Sequence, residues 1–290
     1  MSTQTTNAAV RTHATTGGKA APERPGHFVA GDGAPVVMLH SSLGSKSQWT
    51  ALAERIAPRF RAIAIDLGGY GDNPLPAPGT PFSLDDEVRL VAAHVDRLVA
   101  PHAQVHLVGH SYGALVALRY AYRERDRVAS LSLYEPVAFR MLDDDDPALR
   151  EIDRLAAHVA RLAAAGRRHE AAQTFVDFWS GESSYASLPL PVQAALARRV
   201  DKVPLDFRAA WAWSTIAADV RAVLAPCLLL SGERSPEAAR RIASRLARAL
   251  PDCRLTRLDA GHMGPLTDGA RVNPWIDAFV GRCAAPAVSL

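Results

Sequence analysis

Short apolar runs of strand length alternate with stretches of helical periodicity over most of this chain, and the alternation is broken once. From His27 onward the strand-like runs are Phe28–Ala30, Pro35–His40, Arg61–Asp66, Val105–His110, Val128–Tyr134, Pro226–Ser231 and Cys253–Leu258. Such short, nearly continuous apolar runs fit strands buried on both faces of a parallel sheet. Between them the spacing predicts a helix from about Ser47 to Ala57. A second covers Ser83 to Ala100, with Val88, Val91, Ala92, Val95, Leu98 and Val99 recurring at helical intervals behind the acidic, capped start Ser83-Leu-Asp-Asp-Glu87. Further helices follow Ser111, run up to Leu250 and cover Val272 to Val280. Strands and helices in strict alternation predict an α/β fold: a mostly parallel sheet flanked by helices.

The break lies between residues 143 and 219. After the acidic run Asp143 to Asp146 the chain is helical without any strand-like run, over roughly 147–165, 168–180, 189–202 and 205–218, punctuated by Gly166, Gly181, Pro189, Pro191 and Pro204. An all-helical insertion in an α/β pattern reads as a cap over the C-terminal edge of the sheet. The organisation expected is a disordered segment 1–25, a core made of 26–142 and 220–283, a helical cap 143–219, and a short tail 284–290. The four aspartates read as a solvated hinge. The cap is rich in aromatic residues, and Phe178, Trp179, Trp211 and Trp213, with His40 from the core, are the candidates for lining an apolar substrate pocket.

Composition narrows the classes of function. At 290 residues with 48% hydrophobic positions, the chain can bury a substantial core. The formal net charge is +3, and arginines are interleaved with acids along predicted helices, as in Arg123-Glu-Arg-Asp-Arg127, so no nucleic-acid partner is expected. Cys227, Cys253 and Cys283 form neither a CxxC pair nor a metal-type spacing; they read as core residues, and no metal site is expected. No apolar run approaches the roughly 18 residues that span a bilayer, and no signal-peptide core precedes the first strand, so the expectation is a cytoplasmic protein without a membrane partner. Nothing in the pattern speaks to oligomeric state.

The chemistry concentrates at strand ends. Val105-His-Leu-Val-Gly109-His110-Ser111-Tyr112-Gly113-Ala-Leu-Val passes from an apolar strand through Gly-x-Ser-x-Gly into a helix, the context in which a serine is held exposed on a strained turn as a nucleophile. Ser42 follows the strand ending at His40, in a loop that opens a helix. A backbone N–H there can face developing negative charge, and His40 is placed to brace the loop. Glu135 directly follows Tyr134, so its carboxylate sits at the C-terminal end of the strand beside the nucleophile strand, where open α/β sheets bind ligands. His262 follows the last strand in the small-residue loop Asp259-Ala-Gly-His-Met-Gly-Pro265, the position of a general base. The Gly-rich stretch Leu67-Gly-Gly-Tyr-Gly-Asp-Asn-Pro74 lacks both GxGxxG and GxxxxGK and reads as structural.

His40-Ser-Ser-Leu-Gly, Gly109-His-Ser-Tyr-Gly113 and Gly261-His262-Met263, in this order, resemble the α/β-hydrolase fold superfamily over about residues 27 to 283. The resemblance implies an eight-stranded sheet, a cap between the sixth and seventh strands, and a Ser–acid–His triad. It also implies an oxyanion hole from the backbone N–H groups of Ser42 and Tyr112, and Asp66-Leu-Gly-Gly-Tyr-Gly71 resembles the superfamily's DxxGxG loop. One departure is informative: where the superfamily usually carries an acid after its seventh strand, this chain has Ser235. Some branches instead carry the acid after the sixth strand, 24 residues beyond the nucleophile, and Glu135 stands 24 residues beyond Ser111. The triad expected is Ser111–Glu135–His262, with Glu233 and then Asp259 as the alternative acids. A serine at this position sets the chain apart from the dehalogenase and epoxide-hydrolase branches, which use aspartate. The resemblance thus implies a cofactor-free serine hydrolase acting on carboxylic esters, thioesters or lactones of small, largely apolar molecules. C–C bond hydrolysis and perhydrolysis are run on the same scaffold, and a ligand-binding protein without turnover is the alternative that the serine at 235 suggests.

Overall fold

The computed structural model describes residues 26–77 and 79–284. The segment 1–25 expected to be disordered and the tail beyond 284 lie outside the described residues. Strands β1 (His27–Ala30), β2 (Ala34–Leu39), β3 (Phe60–Ile65), β4 (Val105–His110), β5 (Val128–Tyr134), β6 (Cys227–Gly232) and β7 (Cys253–Leu258) form one sheet in the order β1-β3-β2-β4-β5-β6-β7. All neighbours are parallel except the edge pair β1 and β3. The sheet thus has seven strands among the described residues, against the eight implied by resemblance. From His27 on, the chain carries seven apolar runs of strand length, and each is used. For the same reason the cap interrupts the chain between β5 and β6 in this count.

Three layers follow from the period-two alternation of strand side chains. Val37, Leu39, Ile63, Ile65 and Leu107 face one side, where they pack with α2 (Leu84–Leu98), α3 (Tyr112–Arg123) and α9 (Glu237–Ala249). Val36, Met38, Ala62, Ala64 and Val108 face the other, against α1 (Thr50–Ile56) and α11 (Gly269–Ala284), the latter preceded by the single turn α10 (Gly264–Thr267). The cap consists of α4 (Pro147–Ala164), α5 (Arg168–Ser180), α6 (Leu190–Arg199), α7 (Val203–Ala212) and the short α8 (Ile216–Asp219). Its Ile152, Val159, Val200 and Val203 belong to the same apolar cluster as α2 and α3, so cap and sheet share a core.

The acidic run at the entry to the cap is anchored at its last member. Asp146 is buried; it accepts the Ala148 N–H as the N-cap of α4 at 2.9 Å and pairs with Arg241 at 2.8 Å. Asp143, Asp144 and Asp145 are exposed, and Asp143 pairs with Arg245 at 2.6 Å.

Register places the chemistry. Leu39 of β2 and Leu133 of β5 both pair with Gly109 of β4, and Tyr134 pairs with Leu230 of β6. The three central strands therefore end level, and the residues that follow them, His40 to Ser42, Ser111 and Glu135, emerge side by side beneath the cap.

Candidate active site

The turn at Ser111 is as sharp as its sequence requires. Ser111 adopts φ 55° and ψ −114° as the N-cap of α3, a conformation costly for a residue with a Cβ. Its neighbours are glycines for a steric reason. A Cβ on Gly109 would lie 2.5 Å from Ala114 Cα, and one on Gly113 would lie 2.5 Å from the Leu39 carbonyl oxygen. Three of the four non-glycine residues with positive φ among those described, Leu43, Ser111 and Glu135, fall in the loops of this site. Strain is concentrated where side chains must be aimed.

Ser111 O–H donates to His262 Nε2 at 3.0 Å, and His262 Nδ1–H donates to Glu135 Oε2 at 2.7 Å. An ionised carboxylate only accepts, so its contact fixes the proton on Nδ1 and leaves Nε2 free to receive one. The other carboxylate oxygen, Oε1, accepts from the Ser231 hydroxyl and from the Gly232 N–H, both at 2.8 Å. These donors orient the acid and offset its burial, since Glu135 is 1% exposed. The loop carrying His262 is clamped from below: His110 Nε2–H donates to the His262 carbonyl at 2.8 Å and Tyr134 O–H to the Gly261 carbonyl at 2.6 Å. Burial, then the neighbouring His262, pushes the His110 imidazole well below the ordinary histidine range, so it adds no positive charge next to His262.

The loop after β2 is braced by His40, which is fully buried. Its Nδ1–H donates to the Ser41 carbonyl at 2.7 Å and its Nε2 accepts the Leu67 N–H at 2.9 Å, an arrangement only the neutral ring can make. Burial holds its pKa down at about 4. Asp66 ties the same loop to the Gly-rich stretch by accepting the Lys46 N–H at 2.6 Å, the Lys46 ammonium at 2.6 Å and the Asp72 N–H at 2.9 Å. Among the described residues, neither the Ser42 nor the Tyr112 backbone N–H donates to a protein acceptor, and both residues line the same cavity as Ser111.

That cavity is narrow, with a volume of about 20 Å³. Ser42, Ser111, Tyr112 and Asp206 form its polar side, and Val137, Phe139, Phe175, Trp179, Val203 and Phe207 its apolar side. Trp179 closes it over His262, the two rings 4.3 Å apart between centroids and inclined by 32°. Of the aromatic candidates, only Trp179 lines the cavity. His40 lies under the floor. Phe178 stands edge-on behind Trp179, and Trp211 backs Phe139 with centroids 4.4 Å apart. Trp213 sits at the cap stem, its Nε1–H donated to Asp219 at 2.8 Å with Arg119 over its ring. On a helix the neighbours of a pocket residue turn away from it, and composition does not reveal which one faces in.

The alternative acids lie elsewhere. Asp259 is exposed and paired with Arg234 and Arg271, and Glu233 is exposed. Ser235 is buried, and His262 already has its carboxylate from β5. Ser231, His110, Tyr134 and Asp206 join the site with no role expected of them from the sequence. The first three each sit at a strand end near a named site residue, which was the available signal. For Asp206 the signal was only its i,i+4 spacing from Lys202, which says nothing of Ser42. Among the described residues no group of three or more His, Cys, Asp or Glu is placed to hold a metal ion, and no helix is long and apolar enough to cross a membrane.

A parallel sheet with one antiparallel edge, a strained serine turn after its central strand and a helical cap inserted over the strand ends together define a capped α/β hydrolase architecture. The sequence pattern of the alpha/beta hydrolase family matches residues 36–275, and the chain belongs to that family. Over 116 residues it is 36% identical to a haloalkane dehalogenase of Agrobacterium fabrum, a match covering 40% of this chain and 36% of that protein. It is 33% identical over 113 residues to a soluble epoxide hydrolase of a Corynebacterium species, covering 38% of each. The chain thus matches little more than a third of the length of these relatives. Among solved structures, the enol-lactonase of Burkholderia xenovorans superposes with a TM-score of 0.73 at 19% identity, covering 88% of this chain and 95% of that one, a likeness of fold.

Proposed function

We propose that this protein is a serine hydrolase that cleaves carboxylic esters, or the related thioesters and lactones, of small, largely apolar molecules. The observation that carries the reading is the unbroken hydrogen-bond chain from Ser111 through His262 to Glu135, opening into a cavity whose remaining wall is mostly apolar. Ser111 is the nucleophile, His262 the general base and then acid, and Glu135 the group that holds the imidazole tautomer and stabilises the imidazolium. The backbone N–H groups of Ser42 and Tyr112 stabilise the oxyanion, the latter at the positive end of α3.

In the first step Ser111 Oγ attacks the acyl carbon while its proton passes to His262 Nε2. That proton then goes to the departing alkoxide, and the acyl group stays on Ser111. A water molecule gives a proton to Nε2 as its oxygen attacks the acyl-enzyme, releasing the acid and restoring the serine. The haloalkane dehalogenase and soluble epoxide hydrolase to which the chain is similar agree with hydrolytic chemistry.

The test is intact-mass analysis after treatment with a fluorophosphonate, run on wild type and on Ser111→Ala. One stoichiometric adduct mapped to Ser111 and absent from the variant supports the reading. A folded wild-type protein that acquires no adduct overturns it in favour of ligand binding without turnover.

A further inference from the structure

Four ionisable or hydroxylated side chains are gathered at the joint between cap and core, and the mechanism above uses none of them. Lys202, at the turn before α7, is fully buried; its ammonium donates to Glu87 Oε1 of α2 at 2.9 Å and to Asp206 Oδ1 one helical turn further on. The other Asp206 oxygen, Oδ2, accepts the Tyr70 hydroxyl at 2.5 Å and the Ser42 hydroxyl at 2.6 Å. Glu87 Oε2 in turn accepts the Gly68 N–H at 3.0 Å. The ammonium is also surrounded by the rings of Phe82, Tyr112 and Tyr70, at 4.3, 5.0 and 5.1 Å from their centroids. Burying ionisable groups costs several kcal/mol per ion before their mutual attraction repays it, and apolar residues of similar volume often pack as stably. An arrangement this costly is explained when it holds something in place.

What it holds is the oxyanion loop. Ser42 is a turn residue flanked by Leu43 at φ 61°, so its peptide N–H is aimed by a backbone that gains no support from regular structure. Its hydroxyl is fixed from above by a carboxylate that belongs to the cap. We infer that Asp206 is a positioning residue for the oxyanion hole: the cap carboxylate, held by Lys202 and Tyr70, orients Ser42 so that its backbone N–H meets the substrate oxygen. The inference rests on the serine-hydrolase reading and adds to it a coupling, in which the oxyanion hole is complete only while α7 is seated on the core.

The experiment compares steady-state hydrolysis of p-nitrophenyl butyrate by wild type, Ser42→Ala, Asp206→Asn and the double variant, with fluorophosphonate adduct formation on wild type run alongside. Ser42→Ala keeps the backbone N–H and removes only the tether, and it leaves Asp206 bonded to Lys202 and Tyr70. Removing an oxyanion donor outright costs about 10²- to 10³-fold in kcat, so a donor left in place but loosened is expected to cost about 10- to 100-fold, with KM within about twofold. Asp206→Asn is expected to lose as much, and the double variant no more than the worse single one, because both act through one contact. Ser42→Thr, which restores the hydroxyl, is expected to regain most of the activity. Full activity in Ser42→Ala, or losses that multiply in the double variant, overturns the inference even if Asp206→Asn fails to fold. A wild type that neither labels nor turns over defeats the serine-hydrolase reading instead, which keeps the two failures distinct.

Discussion

Replacing Glu135 by glutamine tests the acid of the proposed triad with the least change in shape. In the native site Oε1 serves two fixed donors, the Ser231 hydroxyl and the Gly232 N–H, and Oε2 faces the His262 Nδ1–H. A glutamine has one oxygen, and the two donors on the β6 side claim it. Its NH₂ then points at His262 Nδ1, donor against donor, and the imidazole escapes by moving its proton to Nε2. In that tautomer Nε2 cannot take the Ser111 proton. The loss expected is that of a triad whose base is locked in the wrong tautomer, about 10⁴-fold in kcat, or about 5.5 kcal/mol of transition-state stabilisation. The assay is burst-phase and steady-state hydrolysis of a p-nitrophenyl ester, with circular dichroism and thermal unfolding to verify that the variant folds. Glu233→Gln and Asp259→Asn are expected to stay within about twofold of wild type, as exposed residues away from the imidazole. A Glu135→Gln protein turning over within about tenfold of wild type would refute the reasoning.

Further outcomes follow from the same geometry. The His40 imidazole is neutral in the folded protein down to a pKa of about 4 and takes up a proton near 6.5 when unfolded. The unfolded state therefore binds the extra proton first as pH falls. The stability this contributes is full above pH 6.5 and is lost between there and about pH 4, a span worth about 3 kcal/mol that urea titrations at pH 7 and 4.5 should resolve. His110, shifted in the same direction, steepens that loss, and His40→Gln should remove the His40 share of the slope. Trp179→Ala enlarges the cavity beside His262 and is expected to move the preferred acyl chain to longer esters. The gain is about 0.8 kcal/mol, or about fourfold in kcat/KM, for each methylene the new space buries. An unchanged chain-length profile would place the acyl group elsewhere.

Much of this architecture could be read before any coordinates, because its signals are local. Val128–Tyr134 and Cys253–Leu258 are strands with the bounds their apolar runs suggest, and Arg168–Ser180 is a helix with the bounds set by its flanking residues. Ser111, His262 and Glu135 each stand one or two residues from a recognisable strand end or glycine, so their proximity follows from strand order. The eighth strand came from resemblance rather than from any apolar run in the chain. The pocket was harder: Phe178 and Trp179 are adjacent in sequence, and only helix packing decides that one faces the cavity and the other backs it. The role of Asp206 was beyond reach, since its partners Ser42 and Tyr70 lie 164 and 136 residues away.

The indole of Trp179 lying across His262 also gives the molecule a built-in optical reporter. Indole emission is sensitive to the polar group in contact with its face, and here that group is the imidazole ring 4.3 Å away. Of the five tryptophans in the chain, Trp179 is the one whose ring rests on His262. Its emission should therefore report whether the indole stays seated on that imidazole, and the difference in emission between wild type and Trp179→Phe would follow the cap over the active site in solution, with no substrate present and no label attached.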